Sequence, residues 1–306
     1  MPATLHFTQN LARHLTCPEA AVAGGTLREA FDEYFVSNPG ARNYVLDDQG
    51  AVRKHVVMFV NQEPIRDRIG LSDVIDDGDE IFVIQALSGG YDLAGIHSVL
   101  VDRRDPAHVT VAVSVGGVWT THDAGASWEL IGAGLRNDYS PPGMGEDPVT
   151  QDPHRVVQCP AAPDRMWMQH HNGIFVSDDG GANWRELADS PLTKFGFAVA
   201  VHPQDPDTAW FVPATKDEQR IPVDARLVVT RTRDGGKSFE ILSDGLPDEP
   251  AYDLVYRHAL DISADGERLA FASTTGSLWV SEDQGDSWTC LSSHLPPVNC
   301  VCFEPG

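Results

Sequence analysis

The 306-residue sequence predicts two domains in tandem: a small α+β domain over residues 1–90 and an all-β domain of at least four four-stranded blades over 91–306. Three observations carry this. The length exceeds the roughly 100–200 residues of a typical single domain. The first ninety residues set one capped amphipathic helix among strand-like runs. The rest repeats one eight-residue motif four times at nearly even spacing.

In the first domain, Thr4-Leu5-His6-Phe7 reads as an opening strand. Thr26-Leu27-Arg28-Glu29 has capping-box spacing, in which the threonine hydroxyl accepts from the third helical N–H and the glutamate reaches back. Ala30, Phe31, Tyr34 and Phe35 then share one apolar face, which predicts a helix over roughly 26–38. Asn38-Pro39-Gly40 is expected to end it. Strand-like runs follow at Val45-Leu46, Val56-Val57-Met58-Phe59-Val60 and Glu80-Ile81-Phe82-Val83-Ile84. Turns fall at Asn61-Gln62 and Asp76-Asp77-Gly78-Asp79.

The segments Val57-Met58-Phe59-Val60-Asn61-Gln62-Glu63-Pro64-Ile65, Leu71, Asp77-Gly78-Asp79-Glu80-Ile81-Phe82-Val83-Ile84 and Ser88-Gly89-Gly90 together resemble the MoaD/ThiS sulfur carriers. The resemblance runs over essentially all of residues 1–90 and implies a ubiquitin-like β-grasp fold. It also implies a terminal Gly-Gly carboxylate that an E1-like enzyme adenylates, before conversion to a thiocarboxylate or attachment to a lysine. Glycines suit such a tail because, without Cβ atoms, it can thread a narrow channel. Here Tyr91 follows Gly90, so the intact chain has no free carboxylate at that point. Either a protease cleaves after Gly90, a JAMM-type metalloprotease by resemblance, or Ser88-Gly89-Gly90 is an interdomain linker in an uncleaved interaction protein.

The repeats of the second domain follow S/T-x-D-x-G-x-S/N-aromatic. Asp123, Gly125 and Trp128 recur as Asp179, Gly181 and Trp184, as Asp234, Gly236 and Phe239, and as Asp283, Gly285 and Trp288. The aspartates lie 56, 55 and 49 residues apart, a separation that fits one propeller blade. Aspartate and serine or threonine side chains bond nearby amides, glycine takes positive φ, and the aromatic is expected to anchor the hairpin between blades. All twelve residues are therefore read as structural. Four strand-like runs surround each box, from Ile96 to Leu291, and a further strand is expected at residues 298–304. Four blades plus that strand either close as a small ring or are completed by another subunit. This half resembles the Asp-box propellers of sialidase-like and BNR-repeat proteins.

That resemblance raises a glycosidase reading, but the residues assign no catalytic set. No Arg-Ile-Pro motif stands at the opening of this half, and Arg155, Arg220, Arg231 and Arg257 lack the spacing of an arginine triad. Tyr256 and Asp217-Glu218 are the nearest approach to a nucleophile and its carboxylates. His154, Arg155, His171, His202 and Arg257 are candidates to line the central channel. The histidines have no local metal-ligand spacing, so neither a metal nor a cofactor is assigned. A protein or glycan ligand of the propeller is the remaining expectation.

The formal charge of −23 argues against nucleic acid and anionic membrane partners. No run nears the ~18 apolar residues of a membrane span. The N-terminus shows no secretory pattern, and the five unpaired cysteines read as buried hydrophobes in a reducing compartment, so a cytoplasmic protein is expected.

Overall fold

The computed structural model describes residues 2–7, 17–23, 25–53, 56–61, 63–85, 95–140, 143–188, 190, 192–217, 219–248 and 250–304. The chain divides into two compact units, residues 1–95 with 138–145, and residues 96–137 with 146–306.

Unit one is a β-grasp. Its strands are β1 (Ala3–Phe7), β2 (Ala20–Val22), β4 (Val56–Val60), β5 (Glu63–Pro64) and β7 (Glu80–Gln85), in the sheet order β2-β1-β7-β4-β5. A two-stranded piece pairs β3 (Gly25–Thr26) with β6 (Val74–Ile75). Helix α1 (Leu27–Ser37) starts where its capping box places it: Thr26 Oγ1 accepts from the Glu29 N–H at 3.3 Å, and Glu29 Oε2 accepts from the Thr26 N–H at 3.0 Å. Its buried face of Leu27, Ala30, Phe31, Tyr34 and Phe35 packs into a core with Leu5, Met58, Ile81 and Val83.

Two sequence expectations are corrected in this unit. Asn38 caps α1, but Pro39 opens a second helix, α2 (Pro39–Val45). Proline is well placed at a first helical position, where its missing N–H costs nothing. Val45-Leu46 is accordingly the end of α2 plus one isolated bridge from Leu46 to Val52, and not a strand.

Unit two is built from four antiparallel four-stranded sheets, each a propeller blade. Blade one holds β8 (Ile96–Val101), β9 (Val109–Val113), β10 (Gly117–Thr121) and β11 (Glu129–Ile131). Blade two holds β12 (Pro153–Cys159), β13 (Ala162–His170), β14 (Gly173–Ser177) and β15 (Arg185–Glu186). Blade three holds β16 (Gly196–Val201), β17 (Ala209–Pro213), β18 (Val229–Thr232) and β19 (Glu240–Leu242). Blade four holds β20 (Leu260–Ile262), β21 (Leu269–Ala272), β22 (Leu278–Ser281) and β23 (Thr289–Ser292). The first strands of the blades pack side by side in the order β8, β12, β16, β20. Three apolar cores fill the spaces between successive blades.

The expected extra strand over 298–304 is a single parallel bridge between Cys300 and His258. The Val301 N–H donates to the His258 carbonyl and the Phe303 N–H to Asp261 Oδ2, which holds the segment against β20 without a ladder. Cys17 and Cys159 are buried, but Cys290, Cys300 and Cys302 are exposed, contrary to the expectation of five buried thiols.

Candidate functional site

The carrier motifs of unit one meet in space. Asn61 sits at φ 56° in the turn after β4. Its Nδ2 donates to Asp79 Oδ1 at 2.9 Å, and its Oδ1 accepts from the Glu80 N–H at 3.0 Å. Asp79 Oδ2 accepts from the Asp76 N–H at 2.9 Å, closing the turn that has Gly78 at φ 89°. The two motifs thus form one polar clasp at the end of the β4–β7 pair. β7 runs parallel to β1 and antiparallel to β4 at the centre of the sheet and ends at Gln85, five residues before Gly90. Gly89, Gly90 and Tyr91 lie outside the described residues.

Each Asp box occupies the hairpin between the third and fourth strands of its blade. In the first, Asp123 Oδ1 accepts from the Ser127 N–H at 2.8 Å and from Thr121 Oγ1 at 2.7 Å, while Asp123 Oδ2 accepts from Ser127 Oγ at 2.6 Å. Thr121 Oγ1 in turn accepts from the Gly125 N–H at 3.0 Å. Asp179, Asp234 and Asp283 repeat the arrangement with Asn183, Ser238 and Ser287, and Gly181, Gly236 and Gly285 donate to Ser177, Thr232 and Ser281. Trp184, Phe239 and Trp288 pack into the core shared with the preceding blade. Trp128 is the exception, 44% exposed. Its blade is the first and has no preceding blade in sequence, so the expected anchoring fails there.

A buried polar cluster of unit two lies at the start of β12. Asp152 and His154 are fully buried and flank Pro153, where a bulge separates the Pro153–His170 and Arg155–Gln169 pairings. Such bulges re-aim side chains and often sit beside functional sites. His171 follows β13, and its N–H donates to the Asp152 carbonyl at 3.0 Å, which brings its ring to the same point. Asp152 Oδ2 lies 3.6 Å from His154 Nε2 and 3.7 Å from His171 Nδ1, and the two nitrogens are 3.3 Å apart. Asp152 Oδ1 accepts from Ser114 Oγ at 3.1 Å, and His154 Nδ1 contacts the Gly196 carbonyl at 2.7 Å. These three side chains could hold a metal ion.

Phe197 forms the floor of this cluster. His154 stacks on it with centroids 4.6 Å apart, and the guanidinium groups of Arg220 and Arg257 lie 5.3 and 5.2 Å from its centre. Arg220 pairs with Asp217 at 2.5 Å. Burial holds His171 down to about 3, helped by the charge of His154. Burial opposes ionisation of Asp152, but the neighbouring His154, His171 and His170 outweigh it and its carboxyl lies well below the usual range. Burial is the largest effect on Asp217 and raises its carboxyl, although Arg220 and His154 act to lower it.

Of the five channel candidates, His154, His171 and Arg257 therefore share one neighbourhood. Arg155 lies elsewhere, against the His258 ring and beside a groove of about 320 Å³ that Asp261 and Ser263 also line. His202 is a turn residue: its Nδ1 accepts from the Gln204 and Asp205 amides and its ring stacks near Trp210. Asp152, which completes the cluster, carries no motif in the sequence. Only its position two residues before His154 hints at a shared face.

Residues 16–90 match the model of the ThiS family. No curated protein matches the chain. Among solved structures, the chain is similar to the GH74 xyloglucanase from Xanthomonas campestris, at 19% identity, covering 65% of this chain and 30% of that one with a TM-score of 0.47. It is similar to YCF48 from Cyanidioschyzon merolae at 18% identity, covering 64% and 56%, with a TM-score of 0.47. SAMP1 from Haloferax volcanii is 22% identical, with 29% of this chain and 98% of that one covered and a TM-score of 0.25. The chain thus spans less than two thirds of the length of either propeller protein. Residues 16–90 are a ThiS-family domain, joined in one chain to the four Asp-box blades.

Proposed function

We propose that residues 1–90 are a sulfur carrier or protein modifier released by cleavage after Gly90, and that the blades serve as its scaffold or as a binding module. The observation that carries this reading is where the ThiS match ends. It runs through residue 90, the second glycine of the Gly89-Gly90 pair. Hydrolysis of the Gly90–Tyr91 peptide bond by a JAMM-type metalloprotease gives a Gly90 carboxylate and a new amino terminus at Tyr91. An E1-like enzyme and ATP then form the acyl adenylate with loss of pyrophosphate. Hydrosulfide displaces AMP to leave a thiocarboxylate, or a lysine amine displaces it to leave an amide.

The test is to incubate the full chain with such a protease, the adenylating enzyme, ATP and a sulfur donor, and to weigh the amino-terminal fragment. The expected result is a fragment ending at Gly90 whose mass rises by sulfur replacing oxygen. Gly90→Ala is expected to block adenylation, because its methyl group meets a channel that admits only glycine. A chain that stays whole in its own host, with no effect of Gly90→Ala there, would instead support an uncleaved two-domain interaction protein.

A further inference from the structure

We propose that Asp152, His154 and His171 bind one divalent transition-metal ion, with zinc the ion that their donor set suits best. The first support is the spacing of the donor atoms. An ion held about 2.0–2.2 Å from tetrahedrally placed donors keeps those donors about 3.3–3.6 Å apart. Asp152 Oδ2, His154 Nε2 and His171 Nδ1 form a triangle with sides of 3.3, 3.6 and 3.7 Å. The two oxygen-to-nitrogen separations exceed the 2.7–3.2 Å of N–H···O bonds, so Asp152 Oδ2 stands at metal-ligand spacing from both rings.

The orientation of two of the ligands gives a second, independent support. Metal-binding imidazoles characteristically donate their other ring N–H to a carbonyl or carboxylate, which fixes the tautomer and turns the lone pair to the ion. His154 has that arrangement, with Nδ1 2.7 Å from the Gly196 carbonyl and Nε2 facing the cluster. Asp152 is held likewise: Ser114 Oγ and the Val115 N–H occupy Oδ1 at 3.1 and 3.3 Å, leaving Oδ2 turned inward. The bulge at Pro153 and the His171-to-Asp152 backbone bond bring the three residues together.

Burial makes the ion more than an ornament. A carboxylate fully withdrawn from water is costly unless matched by charge, and a cation bound at Oδ2 adds to what the neighbouring imidazoles provide. The His171 side chain is 9% exposed, so the site has an edge through which an ion enters. Three protein donors leave one or more positions for water or a small ligand, as in catalytic and not closed structural zinc sites.

The test uses the full chain, stripped with a chelator and titrated with zinc chloride, with bound metal counted by atomic emission. Cobalt(II) serves as the spectroscopic probe. One zinc per chain is expected, with cobalt bands of a nitrogen-and-oxygen site and no thiolate charge transfer. His171→Ala, at the solvent edge, should weaken zinc binding by at least about 100-fold, since even outer partners of metal ligands cost roughly 10–100-fold. Its metal-free melting temperature should stay near that of the parent. Asp152→Asn, nearly isosteric and able to keep the Ser114 hydrogen bond, is the second variant and should lose zinc equally. Cys290→Ser, Cys300→Ser and Cys302→Ser combined should leave uptake unchanged. Failure of the parent chain to take up zinc overturns the proposal, as does uptake that survives both ligand variants or disappears with the cysteines.

Discussion

Thr121, Ser177, Thr232 and Ser281 are 1–2% exposed, whereas the aspartates two residues further on reach the solvent. Each buried hydroxyl accepts from a glycine amide and donates to an aspartate oxygen, so it is the point where the hairpin joins its blade. Ser177→Ala leaves the Gly181 N–H without its acceptor at a buried position, and we expect a loss of about 1–3 kcal/mol in urea unfolding. The aspartates respond instead to pH. The Ser127 hydroxyl and amide hold Asp123 down to about 2, and Ser238 does the same for Asp234. A carboxyl lowered in the folded state adds stability that is complete above its unfolded value, about 3.9, and is lost as pH falls through the folded value. Unfolding free energy measured in urea at a series of pH values should therefore decline between about pH 4 and pH 2. Ser127→Ala removes the largest cause at Asp123, and its carboxyl, followed by NMR, should titrate at a higher pH than in the parent.

At the scale of elements, the blades interlock through glycines that face the next box. Gly134 has φ 85°, and a Cβ there would lie 2.2 Å from the Trp184 carbonyl oxygen. Gly245, at φ 78°, would meet the Trp288 carbonyl at 1.9 Å. The backbone explains the closeness: Ala133 exchanges bonds with Ala182 and Trp184, and the Trp288 N–H donates to Asp244. Gly245→Ala combines a left-handed backbone with a clash against main chain, and should cost about 2–5 kcal/mol. Thermal melting of the variant checks this, and an unchanged melting temperature would refute the interlock. The blade strands were legible because box, glycine and aromatic mark each turn. Val45-Leu46 was not, since Pro39 can restart a helix as readily as end one. The Asp152–His154–His171 cluster was hidden for another reason. Its histidines stand seventeen residues apart, and only the β12–β13 pairing brings them to one point.

For the whole molecule, the consequence of two compact units is that one can be removed and studied. The principal core of unit one draws only on residues from Ala3 to Val83, with Leu5, Phe31, Met58 and Ile81 fully buried among them. A ninety-residue chain is long enough to bury such a core without disulfides or metal. Residues 1–90 expressed alone should therefore melt cooperatively and give the dispersed NMR spectrum of a packed fold. One face of its sheet will differ from that in the full chain. Val57, Phe59 and Ile84 are buried with Met144, which comes from the 138–145 segment assigned to the same unit. A fragment ending at Gly90 lacks that methionine, so these three side chains gain exposure and lose a contact on the scale of a buried apolar side chain, about 1.5–3 kcal/mol. The isolated fragment is thus expected to be folded, less stable than the same unit in the intact chain, and able to bind an apolar-surface dye. Met144→Ala in the intact chain should lower the stability of unit one in the same direction and leave the blades unaffected, read by hydrogen exchange at residues of β4 and β7 against those of β13. A fragment without cooperative melting would show that the core of unit one is not self-sufficient. Equal protection of β4 and β7 in parent and variant would show that Met144 contributes nothing to it.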